Sequence, residues 1–376
     1  MPESESEEAP RKAVADPEVY RESLDAWLKK QKPQVDGLRV HDVDMPRATG
    51  FSNETVFFSA SWKEEGAAKT ERFVARIEPE GSALFPKQTK ECGVSVQVQH
   101  RIMEAVRSTG AVPIPQLLPF ETDTSVLGRP FFVMEFIPGV VPADVPRYSQ
   151  AGFLVDDASP EERTRMVTSG VETMAELAKL DWKKLGLSWL DIKGKGDPTL
   201  ADQLELYRSD SEACLGERDH PVLMKSLDWL ERNAPSSSDA PTGLSWGDSR
   251  LGNMIWQDYR CASVCDWEAV ALCPPEADIG WWVMFDRQSF EDMDAPRLEG
   301  FPTREEMVSL WEAKTGRAVA DTIDYWEIFG TMRFCSIMVQ LGDRMASAGI
   351  VPAEAKMYVN NGTTDSLQRL LDRQGA

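Results

Sequence analysis

The feature that most constrains this chain is a change of periodicity at Pro138–Gly139. Before it lie runs rich in aromatic and β-branched residues, TVFFSASW (residues 55–62), RFVARI (72–77) and RPFFVMEFIPG (129–139), which read as strands. After it, apolar residues recur at helical spacing. The 376 residues exceed the ~250–300 at which a single core stops growing. The fold expected is therefore α+β and two-lobed, with a small β-rich lobe at residues 16–139 and a larger, mainly helical lobe at 140–376. Residues 1–15, with four glutamates and few apolar anchors, read as a disordered acidic tail.

The local expectations are specific. An amphipathic helix spans residues 17–30. EEGAAK (64–69) turns between the first two strand runs, and Phe73, Ala75 and Ile77 share one face while Val74 and Arg76 share the other. Residues 91–107 form a helix with Val94, Val98, Ile102 and Val106 in register. Ser159-Pro160-Glu161-Glu162 opens another with a capping box. Residues 200–231, 304–346 and 353–373 read as helical, and no internal repeat is visible.

Asp and Glu total 62 against 41 Lys and Arg, a net charge of −21. Such a chain repels nucleic acid and anionic membranes. No apolar run reaches the ~20 residues of a membrane span. The acidic N-terminus lacks the apolar core of a secretory signal. Six cysteines without a framework spacing predict reduced thiols and a cytoplasmic location. Cys261, Cys265 and Cys273 cluster without zinc-like spacing, and the three histidines lie far from them.

Chemistry concentrates in residues 244–270, LSWGDSRLGNMIWQDYRCASVCDWEAV. NMIWQ and CASVC read as a hairpin turning at 258–260. Its ends meet, so Asn253 entering the first strand and Asp266 leaving the second converge, with Asp248 on the feeding loop. Few hard oxygen ligands suit Mg²⁺, which takes substrate phosphates for its other positions. An acid off the metal can then accept a hydroxyl proton, the arrangement phosphoryl transfer requires. Arg250 would aim a permanent positive charge at the transferring phosphate.

This segment resembles the catalytic loop and metal segment of the aminoglycoside phosphotransferase family, a branch of the protein-kinase-like fold. The family pattern H-G-D-x-x-x-x-N, then D-x-E, is matched by Trp246-Gly247-Asp248, Asn253 and Asp266-Trp267-Glu268. The resemblance implies that Asp248 is the catalytic base, that Asn253 and Asp266 bind Mg²⁺, and that ATP is the phosphoryl donor. It extends over about residues 18–370. Thr49–Thr55 is similar to the phosphate-covering loop, which assigns Ser52 and Asn53 to the nucleotide. Arg76 stands where the family places the phosphate-pairing base. The backbone of Glu135 and Ile137 would bond the adenine edge, and Asp278 in EADIGWW would brace the catalytic loop. The closest likeness is to kinase-like domains fused to acyl-CoA dehydrogenases.

Three departures stand out. Trp246 replaces the usual His, so the loop is expected to be held by packing and not by an imidazole hydrogen bond. Arg76 replaces Lys. The acidic partner of that base is replaced by Gln99, or by Gln97 in the other register. The activity implied is transfer of the γ-phosphate to a hydroxyl of a small molecule, either an aminoglycoside-like cation or a hydroxyacyl or other metabolite. A non-catalytic nucleotide-binding regulator is the rival. A protein kinase is disfavoured, because no A-P-E segment follows Asp266. Glu268 is open between a metal-bound water and a structural hydrogen bond. Trp281, Trp282 and Phe285 read as core.

Overall fold

The computed structural model describes residues 16–45, 53–81 and 83–376. The acidic tail at 1–15 and Ser52, with most of the expected phosphate-covering loop, lie outside the described residues. The N-terminal lobe is built on an antiparallel sheet of order β1 (Asp36–Asp44), β2 (Glu54–Glu64), β3 (Ala67–Ile77), β4 (Phe131–Glu135). β2 and β3 pair without interruption from Glu54↔Ile77 to Glu64↔Ala67. The turn is therefore two residues, Glu65 and Gly66, both at positive φ. That backbone matches the right-handed twist of the flanking strands. The six-residue turn expected from EEGAAK is too long, because cross-strand pairing recruits Ala67–Lys69 into β3.

The two faces of β3 do different work, as its alternation requires. Phe73, Ala75 and Ile77 join Phe131 and Val133 under helix α1 (Pro17–Gln31), whose Tyr20, Leu24, Trp27 and Leu28 are buried against them. Asp16 caps α1 by accepting from the Glu18 amide, and Pro17 opens its first turn. On the opposite face lies helix α2 (Ser95–Arg107), its Val98, Ile102 and Val106 in one apolar cluster with Phe132. α2 starts at Ser95 rather than 91, and Val94 is the extended residue before it. The Glu78 carboxylate, just beyond β3, accepts from the amides of Ser95 (3.1 Å) and Val96 (2.9 Å). A carboxylate at a helix N-terminus satisfies orphan donors and opposes the dipole.

After the short α3 (Thr124–Leu127) and α4 (Phe153–Asp156), the second lobe carries α5 (Pro160–Ala178), α6 (Leu200–Leu215), α7 (Pro221–Arg232), α8 (Glu276–Phe290), α9 (Arg304–Thr315), α10 (Ile323–Ser347) and α11 (Gly362–Arg373). The capping box at Ser159 and Glu162 forms as expected. Two expected helices are each broken in two. Gly216, at positive φ, ends α6 before Pro221 starts α7. Gly316 does the same between α9 and α10. The helix expected from 353 begins only at Gly362. Short strands β5 (Gly243–Ser245) and β8 (Ala271–Cys273) pair, and β6 (Met254–Gln257) pairs with β7 (Arg260–Val264). Between them Asp258 and Tyr259, both at positive φ, make the hairpin turn.

The lobes are joined at residues 136–141, where Val140 and Trp256 exchange backbone hydrogen bonds of 3.0 and 2.9 Å. Among the described residues, no helix is long and apolar enough to cross a membrane.

Candidate active site

Asp248, Asn253 and Asp266 come together on the wall of the second lobe that faces β3. β5 delivers the loop holding Asp248, a single 3₁₀ turn (Leu251–Asn253) carries Asn253 into β6, and β7 leads back to Asp266. The Asn253 side-chain Nδ2 donates to the Asp248 backbone carbonyl at 3.0 Å, and the Asn253 backbone carbonyl accepts from Cys265 N at 2.8 Å. Asn253 thus ties the Asp248 loop to the residue before Asp266. Asp266 sits in the left-handed region, which Asp tolerates better than most residues.

Two donors converge on one oxygen of the Asp248 carboxylate. Trp281 Nε1 reaches Oδ1 at 2.9 Å and Arg250 Nε reaches it at 3.2 Å. Burial pushes the Asp248 carboxyl above the usual range, and the Arg250 charge opposes that shift. Arg250 spends its other edge on Asp144, at 2.7 and 2.8 Å. It is therefore held between two carboxylates, Asp248 and Asp144.

Asp278 braces the loop as expected. Its carboxylate accepts from Ser245 Oγ, Trp246 N and Gly247 N, each at 2.8 Å, and its carbonyl accepts from Ser249 Oγ at 2.7 Å. Gly247, at φ +89, fits where a Cβ would lie 2.0 Å from the Ala269 carbonyl oxygen, so only glycine suits this turn. Arg333 of α10, buried, holds the Gly247 carbonyl at 2.8 Å and Tyr207 Oη at 2.9 Å.

Trp246 corrects an expectation. It is fully buried against Trp267, but it also donates a hydrogen bond. Its Nε1 reaches the carbonyls of Cys265 (3.0 Å) and Asp266 (3.2 Å). The indole N–H thus joins the catalytic loop to the metal segment, and the loop is not held by packing alone.

Arg76 projects from β3 toward the same point. Its NH1 donates to Thr55 Oγ1 at 2.8 Å and its NH2 lies 3.8 Å from Asp266 Oδ1. Gln99, assigned to Arg76 by resemblance, instead donates to Ser95 Oγ of its own helix at 3.3 Å, and Gln97 accepts from Gly93 N. Neither amide meets Arg76, because the register of α2 is fixed by the Glu78 cap. The anionic neighbour of Arg76 is Asp266. Asn53 donates to Glu268 Oε2 at 3.1 Å, a bond from lobe to lobe. Burial, then the Asp266 charge, push the Glu268 carboxyl up to about 8. At the lobe junction the Glu135 amide is taken by the Gln116 carbonyl (2.9 Å), so its carbonyl and the Ile137 amide are what the junction can offer a ligand.

The donor set fits the implied magnesium nucleotide. Asp266 Oδ1, Asn53 Oδ1 and Arg76 NH2 are buried side-chain atoms without a hydrogen-bond partner. Buried orphans are costly, and an unpartnered carboxylate oxygen 3.8 Å from a guanidinium suits a cation and phosphate oxygens. Among the described residues no three His, Cys, Asp or Glu side chains form a metal cage, so phosphate oxygens would complete the coordination shell.

Trp281, Trp282 and Phe285 are core, as expected, but the role of the Trp281 N–H went unread. Its spacing of three from Asp278 on α8 puts both on the helix face toward the loop, which was the available signal. Arg333 went unread as well, and the signal it offered was that of a lone charge in an apolar stretch.

A small antiparallel-sheet lobe, a larger helical lobe and an Asp–Asn–Asp set at their junction define a kinase-like phosphotransferase fold. The chain belongs to the phosphotransferase enzyme family, whose model matches residues 45–308. Acyl-CoA dehydrogenase family member 11 of Rattus norvegicus is 27% identical over 359 residues, covering 92% of this chain. The chain spans 40% of that relative's length. A candidate aminoglycoside phosphotransferase of Ralstonia eutropha shares the fold with a TM-score of 0.67, at 21% identity over 93% of this chain and 98% of that one. An APH(2") enzyme in complex with GDP and kanamycin superposes with a TM-score of 0.55, at 14% identity over 93% of this chain and 98% of that one.

Proposed function

We propose that this chain transfers the γ-phosphoryl group of ATP, with Mg²⁺, to a hydroxyl of a small molecule. The observation that carries this reading is the Asp248 carboxylate, buried at the lobe junction with Trp281 Nε1 and Arg250 Nε both on Oδ1. Oδ2 would accept the proton of an incoming hydroxyl. The hydroxyl oxygen then bonds to the γ-phosphorus, the bond to the β–γ bridging oxygen breaks, and ADP leaves. Asp266 and Asn253 would hold the Mg²⁺, which when bound supplies charge neutralisation on the phosphates. Arg76, carried by the rigid β2–β3 pair, binds phosphate oxygens. Asn53 and Glu268 keep the lobes in register, and the Glu135 carbonyl and Ile137 amide receive the adenine edge. The lobe division at 139/140 is part of the same reading.

The rival reading, a non-catalytic regulator, rests on the missing acidic partner of Arg76 on α2; against it stands Asp266 Oδ1, 3.8 Å from the guanidinium. Two acceptor classes follow from the similar proteins. One is a polycation like the kanamycin in the APH(2") complex. The other is a hydroxyacyl compound, in keeping with the acyl-CoA dehydrogenase relatives. The test is incubation with Mg²⁺·ATP and a panel of aminoglycosides, hydroxyacyl-CoAs and sugars, read by mass spectrometry. A product heavier by one phosphoryl group supports the reading. ATP binding without turnover on any acceptor or on water overturns it.

A further inference from the structure

The segment after the lobe junction reaches the catalytic loop through one side chain. Val140 is fixed to β6 by its paired hydrogen bonds with Trp256, and a second bridge joins Asp144 to Arg147. Asp144 lies on this anchored segment and accepts from Arg250 NH1 with both oxygens, at 2.8 and 2.7 Å. The same guanidinium presents Nε to Asp248 Oδ1 at 3.2 Å and lies over the Phe285 ring at 5.4 Å. The result is a carboxylate–guanidinium–carboxylate row from the junction segment to the proposed base.

Gly252 leaves the space that the row occupies. A Cβ at Gly252 would lie 2.6 Å from Arg250 NH1 and 3.5 Å from Asp144 Oδ1. Gly252 has no positive φ to explain it. Its missing side chain makes room for the guanidinium end that Asp144 holds. Arg250 is mostly buried, whereas the Asp144 side chain is 49% exposed. An exposed partner contributes little to stability. Its effect falls on direction: without it, NH1 has nothing to hold it, and Nε loses its aim at Oδ1.

We propose that Asp144 is a positioning residue, acting through Arg250 to hold the Asp248 carboxylate with Oδ2 toward the acceptor. It touches neither nucleotide nor acceptor. This rests on the function proposed above, and the experiment separates the two. ADP release from Mg²⁺·ATP with water as acceptor is measured together with Mg²⁺·ATP affinity. The Trp281 indole N–H, which shares Oδ1 with Arg250, is followed by ¹⁵N NMR and assigned with Trp281→Phe. Asp144→Asn is expected to slow ADP release about ten-fold, inside the ~10²-fold that a 1 Å misplacement can cost. Nucleotide affinity should stay within about two-fold, since remote, unshared sites act independently. The indole signal should move, and Gly252→Ala, which displaces NH1 sterically, should move it too. Adding Asp144→Asn to Arg250→Met should change neither rate nor signal further. A double variant whose losses add, or an indole signal untouched by Asp144→Asn and by Gly252→Ala, overturns the proposal. If the wild-type protein releases no ADP with water or with any acceptor of the panel, the proposed function fails, and the indole signals alone decide the role of Asp144.

Discussion

The Trp246 indole nitrogen lies 3.2 Å from the Asp266 carbonyl oxygen, so the loop that carries Asp248 holds the backbone at Asp266. Trp246→Phe removes the donor together with part of the buried ring. The carbonyls of Cys265 and Asp266 lose that buried partner, which alone should cost about 1–3 kcal/mol. Urea denaturation reads this as a lowered midpoint at unchanged slope. An unchanged midpoint would show that the indole does not hold the loop.

Asp248→Asn removes the proposed proton acceptor while keeping the shape and the Trp281 bond. Phosphoryl transfer should fall by roughly 10²–10⁴-fold, the usual contribution of general base catalysis. Nucleotide affinity, measured by calorimetry, should hold. Retained turnover removes Asp248 from the role.

Asp266→Asn replaces a charged oxygen donor with a neutral one. The gain in nucleotide affinity on adding Mg²⁺ should shrink or vanish, while metal-free affinity stays the same or rises because a negative charge leaves the phosphate site. Calorimetric titrations with and without Mg²⁺ decide it. An undiminished Mg²⁺ effect assigns the metal elsewhere.

His220 gives a pH prediction outside the site. Its Nδ1 accepts from Leu223 N at 3.2 Å, capping α7, and its Nε2 faces Cys335 Sγ at 3.4 Å. Burial holds its pKa below the usual value, with backbone hydrogen bonds at His220 and Tyr358 opposing. The unfolded chain therefore takes up a proton near pH ~6.5 that the folded chain resists. The associated stability is full above that pH and is lost as pH falls through it. His220→Asn keeps a capping acceptor without the titration. The fall in stability from pH 7 to pH 5 should be shallower in the variant, and parallel curves would refute the assignment.

How legible the molecule was depended on how local each determinant is. Asp248, Asn253 and Asp266 were readable because one hairpin brings them together, and β-pairing converts spacing into position. The faces of β3 were readable because alternation is a property of the strand itself. Gln99 was misassigned because its direction depends on the register of α2 against β3, which Glu78 sets from seventeen residues away. The breaks at Gly216 and Gly316 were missed although each carries a local signal, a glycine that ends the helix at positive φ, followed in the first case by Pro221. Asp144 and Arg333 were out of reach, since their partners lie 106 and 86 residues away.

The shared apolar cluster around α2 has a consequence for cooperativity. Val98, Ile102 and Val106 belong with Phe132, Leu190 and Val264, so the covalent seam near residue 139 is not where hydrophobic burial divides. Arg101 over the Trp189 ring and the Val264 amide on the Pro113 carbonyl stitch the same region. A fragment ending at the seam would leave the inner side of α2 wet. Calorimetry on the intact chain should accordingly show one endotherm, with both halves melting together.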